Sequence, residues 1–202
     1  MPLRGARAVR LMPLSLAMIL ACMLIAILSS FGRDTQWLSS FYISEYIGGG
    51  LREVFRGQVW RLITPIFMHF GVVPVLFNML WLFALGGAIE RGQGTRRLAV
   101  LVAVCGIGGN LAQFWWAGPD FGGMSGVAYG LLAYLLVQGR LQPRNGLVLH
   151  RYIVLMMLIW FVLCWTGIIN AATNMAHTIG LLCGGVLGWL YSSNKRLTAQ
   201  QS

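Results

Sequence analysis

Tyr152 to Asn194 reads YIVLMMLIWFVLCWTGIINAATNMAHTIGLLCGGVLGWLYSSN, 43 consecutive residues without Asp, Glu, Lys or Arg, closed by Arg151 on one side and Lys195 on the other. A bilayer core of about 30 Å takes about 20 apolar residues of helix, so this run predicts two crossings joined by a short turn. Further uncharged runs of 22, 28, 22 and 19 residues lie between Arg10 and Arg33, Arg61 and Glu90, Arg97 and Asp120, and Asp120 and Arg140. Each has room for one crossing. The spans expected are about 11–31, 74–90, 98–117, 124–139, 152–168 and 175–192, with one long loop at about 32–73. The whole chain, 1–202, is expected to be a single all-α integral membrane domain of six helices. Composition agrees, since the chain is 57% hydrophobic and 10% charged, against about 25% charged in a soluble domain. Its mean hydropathy is +0.71.

In a soluble protein the net charge of +10 would suggest a nucleic-acid partner, but the six-span map gives the cations another meaning. Arg4, Arg7 and Arg10 precede span 1, and Arg91, Arg96 and Arg97 separate spans 2 and 3. Arg140, Arg144 and Arg151 separate spans 4 and 5, while Lys195 and Arg196 follow span 6. The remaining four, Arg33, Arg52, Arg56 and Arg61, share the long loop with Asp34, Glu45 and Glu53. Positive charge marks the cytoplasmic side, so both termini are expected there and no nucleic-acid partner is implied. A basic start followed by Ile19-Leu20-Ala21-Cys22 loosely resembles a cleavable signal. The uncharged run nevertheless continues to Gly32, beyond the usual 7 to 15 residues of such a segment, and predicts an uncleaved helix. Cys22, Cys105, Cys164 and Cys183 have neither metal-ligand nor disulfide spacing and read as small core residues; no metal or cofactor is expected.

Two anomalies in span length point to a water-filled recess. Gly71 breaks any helix begun earlier in the 62–89 run, and Pro74 suits a first helical turn, so span 2 should begin near Pro74 with Asn78 about one turn inside. That leaves 63–73 as irregular backbone dipping below the surface. Span 4, bounded by Phe121-Gly122-Gly123 and Gly139-Arg140, has about 16 residues, or about 24 Å of helix, and so must start below the outer surface. The long loop carries Trp37, Phe41, Tyr42, Tyr46, Phe55 and Trp60, an aromatic content suited to the headgroup layer. Gly48 to Gly50 marks a break within it.

Ser125 opens span 4, where the first N–H groups of the helix lack partners and the dipole is positive. A hydroxyl there is either an N-cap or a nucleophile whose neighbouring amides receive developing negative charge. His177 lies just inside the outer end of span 6, at the depth of Ser125. It is followed by Gly180, Gly184 and Gly188, whose spacing permits close approach of a neighbouring helix. If that neighbour is span 4, the imidazole reaches the hydroxyl; otherwise His177 and the glycines are packing features. Asn78 offers an uncharged donor at a corresponding depth, either for an oxyanion or for a helix carbonyl. Tyr129, one turn after Ser125, packs either on the imidazole or in the core. Only Asp120 among the acids lies near Ser125, across the recess, so a Ser/His dyad is favoured over a triad.

Gly123-Met124-Ser125-Gly126 with Tyr129, followed two spans later by Ala176-His177 and Gly180, resembles the paired signature of rhomboid intramembrane serine proteases. Trp60-Arg61, Met68-His69-Phe70, Leu76-Phe77-Asn78 and Gly86-Gly87-Ala88-Ile89-Glu90 resemble rhomboid motifs in the same order, so the likeness covers about 60–190. It implies a six-helix rhomboid bundle in a bacterial inner membrane, acting on transmembrane protein substrates without a cofactor. It also implies Ser125 as nucleophile and His177 as general base. Asn78 and the Ser125 amide would serve the oxyanion, with Gly123 and Met124 beside that site and Tyr129 supporting the imidazole; His69 and Glu90 would be structural. One departure is Pro74, where many rhomboids carry a histidine. Proline offers no donor, and an alternative reading is a weak or inactive relative that binds membrane clients without cutting them.

Overall fold

Glu90, near the end of the second long helix, shows how the helices are tied together in a computed structural model of the chain. The structure describes residues 11–34, 36, 38–45, 48, 50–143, 149–166 and 173–200, with side chains up to 193. Arg4, Arg7, Arg10, Trp37, Tyr46, Gly49, Arg144, the end of the fifth expected span at 167–168, and the side chains of Lys195 and Arg196 lie outside the described residues.

Six long helices carry the fold: α1 (Pro13–Leu28), α2 (Val72–Gln93, with one wide turn at Leu82–Gly86), α3 (Thr95–Ala117), α4 (Ser125–Leu141), α5 (Arg151–Trp165) and α6 (Asn174–Gln200). Among the described residues there is no strand. Pro13 occupies the first turn of α1, where its missing N–H costs nothing. The next amides, of Leu14 and Ser15, each donate to the Glu90 carboxylate at 2.8 Å, as do the hydroxyls of Ser15 at 2.7 Å and Thr95 at 2.8 Å. An anion at a helix N-terminus meets both the unpaired N–H groups and the positive end of the dipole. Glu90 therefore binds the starts of α1 and α3 to the end of α2.

α2 begins at Val72, two residues earlier than the sequence suggests. Gly71, at φ +109°, turns the chain sharply, and Pro74 falls on the third helical position, where an N–H would lack an intrahelical acceptor and its absence costs nothing. Asn78 is consequently nearly two turns inside. The preceding segment is less irregular than expected, because Pro65 starts a 3₁₀ turn at Thr64–Phe67.

α4 is buried from Gly126 through Leu132 without interruption, which a helix shows only when enclosed on every side. At 17 residues it is about 25 Å long. Its glycines set the packing. A Cβ added to Gly180 would overlap the Gly126 carbonyl, and one added to Gly184 the Gly130 carbonyl, so α4 and α6 meet backbone to backbone. Gly109 of α3 closes the third side, its own added Cβ falling 3.2 Å from the Ala176 carbonyl oxygen. α1 and α5 are peripheral. Ser15, Met18, Cys22 and Ala26 form the inner stripe of α1, whereas Leu16, Leu20, Leu24 and Ile27 are exposed. Met157 and Cys164 are the buried residues of α5.

The long loop is folded rather than loose. Arg61 is buried at its centre, donating to the carbonyls of Ser39 at 2.8 Å and Tyr42 at 2.9 Å, to Gln58 at 2.6 Å and to Glu45 at 2.5 Å. Thr64 donates to the Phe41 carbonyl and Asn110 of α3 to the Leu62 carbonyl. These bonds hold the 3₁₀ turn against the rest of the loop and against α3.

Candidate active site

Two helix N-termini, of α4 and α6, are brought to one level by side chains from elsewhere. At α4, the Gly123 amide donates to the Pro65 carbonyl at 3.0 Å. Gly123 has φ +127°, a conformation L side chains rarely adopt. The Met124 amide faces His69 Nε2 at 3.5 Å, and His69 Nδ1 lies 3.1 Å from the Phe67 carbonyl. The carbonyl fixes the proton on Nδ1 and leaves Nε2 as acceptor. Burial pushes the His69 pKa down to about 4, keeping the ring neutral.

At α6, Gln113 of α3 takes the place of an N-cap. Its Oε1 accepts from the Met175 amide at 3.0 Å and the Ala176 amide at 3.3 Å. Asn174 Nδ2 donates to the Cys164 carbonyl at 3.1 Å, joining the start of α6 to the end of α5.

Between these termini, His177 Nε2 lies 2.7 Å from Ser125 Oγ. The imidazole is 2% exposed. Its ring centroid is 4.7 Å from that of Tyr129, inclined at 46°, and the Tyr129 hydroxyl donates to the Met157 carbonyl of α5 at 2.9 Å. Thr173 Oγ1 is a second neighbour of Nε2, at 3.1 Å. Nδ1 is buried without a hydrogen-bond partner among the described residues, so the pair has no acid behind it.

A cavity of about 370 Å³ opens above the pair. Its walls are mostly apolar: Pro74, Phe77 and Trp81 from α2, and Met156, Met157 and Trp160 from α5. Asn78, Asp120, Gly123, Ser125, Tyr129, Thr173 and His177 contribute the rest of the surface that matters for chemistry. A Cβ added to Gly123 would stand 3.7 Å from Asn78 Nδ2 and 3.8 Å from Ser125 Oγ. Glycine thus leaves a small space with an amide donor on one side and a hydroxyl on the other. The Ser125 amide is in the first turn of α4, where no intrahelical acceptor exists. Such an arrangement suits addition of a hydroxyl to a carbonyl, with the developing oxyanion in the space beside Gly123. Among the described residues no three His, Cys, Asp or Glu side chains converge as a metal site requires.

Ser125, His177, Asn78, Gly123 and Tyr129 are therefore together. Met124 is the exception among the six residues read from the sequence, because its side chain is fully buried in the core and its amide faces His69. Helical rotation causes this: the residue before Ser125 turns away from the cavity when Ser125 turns toward it. Pro74 lines the cavity wall one helical turn before Asn78. Sequence reasoning passed over Thr173 and Gln113. Gln113 carried a signal, an amide within an apolar span, whereas Thr173 looked like an ordinary turn residue.

Residues 56–194 match the family model of the Rhomboid domain. The chain is 32% identical over 185 residues to proteins named rhomboid protease GlpG from Salmonella newport (strain SL254), Salmonella typhimurium (strain LT2) and Salmonella choleraesuis (strain SC-B67). The alignment covers 91% of this chain and 65% of each relative, so the chain spans about two thirds of the length of the curated relatives it matches.

Proposed function

This chain belongs to the rhomboid family, and from that premise we propose that it is an intramembrane serine endopeptidase that cuts transmembrane segments of membrane-protein clients. As a family member with several apolar helices it is an integral membrane protein. α2, α3 and the first twenty residues of α6 are each long and apolar enough to cross a bilayer, whereas α1 and α5 are shorter apolar helices. The proposal counts all six helices as spans, with both termini cytoplasmic and the cavity facing the outer side of a bacterial inner membrane. The distribution of Lys and Arg supports that orientation.

One observation carries the reading: Ser125 Oγ lies 2.7 Å from His177 Nε2 at the floor of an apolar cavity. Ser125 Oγ bonds to the client's carbonyl carbon while its proton passes to Nε2. The carbonyl oxygen gains the negative charge and takes donors from the Ser125 amide and Asn78 Nδ2. The C–N bond then breaks as Nε2–H returns the proton to the departing amine, leaving an acyl ester on Ser125. A water molecule gives its proton to Nε2 as its oxygen attacks the ester, and Ser125 Oγ departs with that proton. A helical client keeps its carbonyls bonded within the helix, so the segment must unwind before it enters the cavity; small or helix-breaking residues near its outer end favour this.

The test requires no known client. The purified chain in detergent is treated with a fluorescent fluorophosphonate, which phosphonylates an activated serine. Wild type is expected to label, and Ser125→Ala and His177→Ala are not. A folded wild type that stays unlabelled, or an equally labelled Ser125→Ala, overturns the reading.

A further inference from the structure

Resting on that dyad, the structure points to a residue outside the rhomboid signature: we propose that Thr173 is a positioning residue for His177, holding the imidazole from its Nε2 edge. In a triad a carboxylate at Nδ1 orients the base. Here Nδ1 is buried without a partner among the described residues, and the rotation of a histidine ring about its last torsion is intrinsically loose. Tyr129 covers one face at 4.7 Å between centroids, which limits swing without choosing a direction in the plane of the ring. Two hydroxyls converge on Nε2, Ser125 Oγ at 2.7 Å and Thr173 Oγ1 at 3.1 Å.

Thr173 is well built for this task. It sits one turn before His177, whose amide donates to the Thr173 carbonyl at 3.1 Å, and its β-branched side chain has few rotamers. Its hydroxyl both donates and accepts, which matches the changing needs of Nε2. Before attack, Nε2 is an acceptor shared with Ser125. After the serine proton has transferred, Nε2–H needs an acceptor, and Ser125 Oγ is becoming an ester oxygen. The Thr173 oxygen then retains the ring in register until Nε2–H passes its proton to the departing amine, after which the Thr173 hydroxyl can donate to Nε2 again.

Fluorophosphonate labelling of the full chain in detergent, followed as a function of probe concentration, tests this separately from the dyad itself. Thr173→Val keeps the shape and removes the hydroxyl. It is expected to lower the maximal labelling rate about tenfold, the scale of one lost hydrogen bond, while the half-saturating probe concentration stays as in wild type. Thr173→Ser is expected to recover the rate to within about threefold of wild type. Val labelling at the wild-type rate, a change confined to half-saturation, or no recovery with Ser would overturn the role of Thr173 while labelled wild type leaves the dyad standing. Should Thr173→Val not fold, Thr173→Ala against Thr173→Ser makes the same comparison. An unlabelled wild type would overturn the dyad and this inference together.

Discussion

The seam between α4 and α6 and the seam between α2 and α5 border the same Ser125–His177 pair, yet they are built oppositely. Along α4 and α6 the contact is glycine against backbone, with Gly126 and Gly130 set directly on Gly180 and Gly184. Across from it, α2 and α5 meet through large side chains, notably Phe77 stacked on Trp160 at 5.7 Å between centroids, and the cavity lies between them. In a membrane, apolar side chains gain little by leaving lipid for protein, so close backbone packing is what holds helices together. The glycine seam fixes Ser125 relative to His177. The aromatic seam has little to lose on parting, which is what the proposed entry of a client segment would demand.

The largest effect should come from breaking the glycine seam. In Gly184→Ala the new Cβ overlaps the Gly130 carbonyl, a backbone atom that cannot yield, and the helices must separate. Overpacking of this kind costs about 3 kcal/mol or more. One residue along, a Cβ on Gly185 meets nothing within 4 Å, and Gly185→Ala should be neutral or gain up to about 1 kcal/mol of helix propensity. Thermal unfolding in detergent of these neighbouring variants checks the claim; similar midpoints would show that α4 and α6 are not in backbone contact.

His69 links the loop to the start of α4, and its contribution depends on pH. Burial lowers its pKa from 6.5 in the unfolded chain to about 4, so the unfolded state binds the proton more readily. Stability is fully present above about 6.5 and declines as pH falls toward 4, by up to about 3 kcal/mol. Protonation would also turn Nε2, the acceptor facing the Met124 amide, into a donor. Unfolding midpoints measured from pH 7 to 4 should therefore fall, and His69→Gln should flatten the slope. An unchanged slope in that variant would place the pH dependence elsewhere.

Much of this arrangement was legible because charge is so sparse. Each uncharged run corresponds to helix, and the four-residue spacing of Gly180, Gly184 and Gly188 announced a close neighbour, which the structure identifies as α4. Ser125 and His177 could be paired in advance only on the condition that this neighbour was right. What stayed hidden depends on rotation about helix axes and on contacts between distant residues. Met124 turns inward although it adjoins Ser125. Thr173 becomes relevant only once His177 is oriented, and Gln113 reaches amides 62 residues away. The start of α2 was misplaced by two residues because Gly71, not Pro74, sets where the chain turns. Nor did aromatic content reveal that Arg61 would organise the long loop from within.

Gln113 offers the next smaller effect, on the rigid side of the comparison. Gln113→Ala removes the acceptor for the Met175 and Ala176 amides, a loss comparable to that of an N-cap, about 1 to 2 kcal/mol. Because His177 follows directly, fluorophosphonate labelling should slow several-fold while α4 and α6 stay packed, whereas loss of labelling through wholesale unfolding would assign Gln113 to the bundle rather than to the turn.

The smallest change in stability belongs to the aromatic seam. Phe77 and Trp160 are 39% and 42% exposed, so truncating either removes a partly solvated contact, and the pair itself is worth about 0.5 to 1.5 kcal/mol. A double-mutant cycle of Phe77→Ala and Trp160→Ala should find a coupling in that range and unfolding midpoints close to wild type. Access should respond more than stability does. Labelling by a fluorophosphonate with a bulky tag should accelerate in both single variants, while labelling by a small one stays near the wild-type rate, since a small probe needs no parting of α2 from α5. Equal acceleration of both probes would mean that the aromatic pair acts on Ser125 rather than on entry. Destabilisation as large as that of Gly184→Ala would erase the distinction between the two seams.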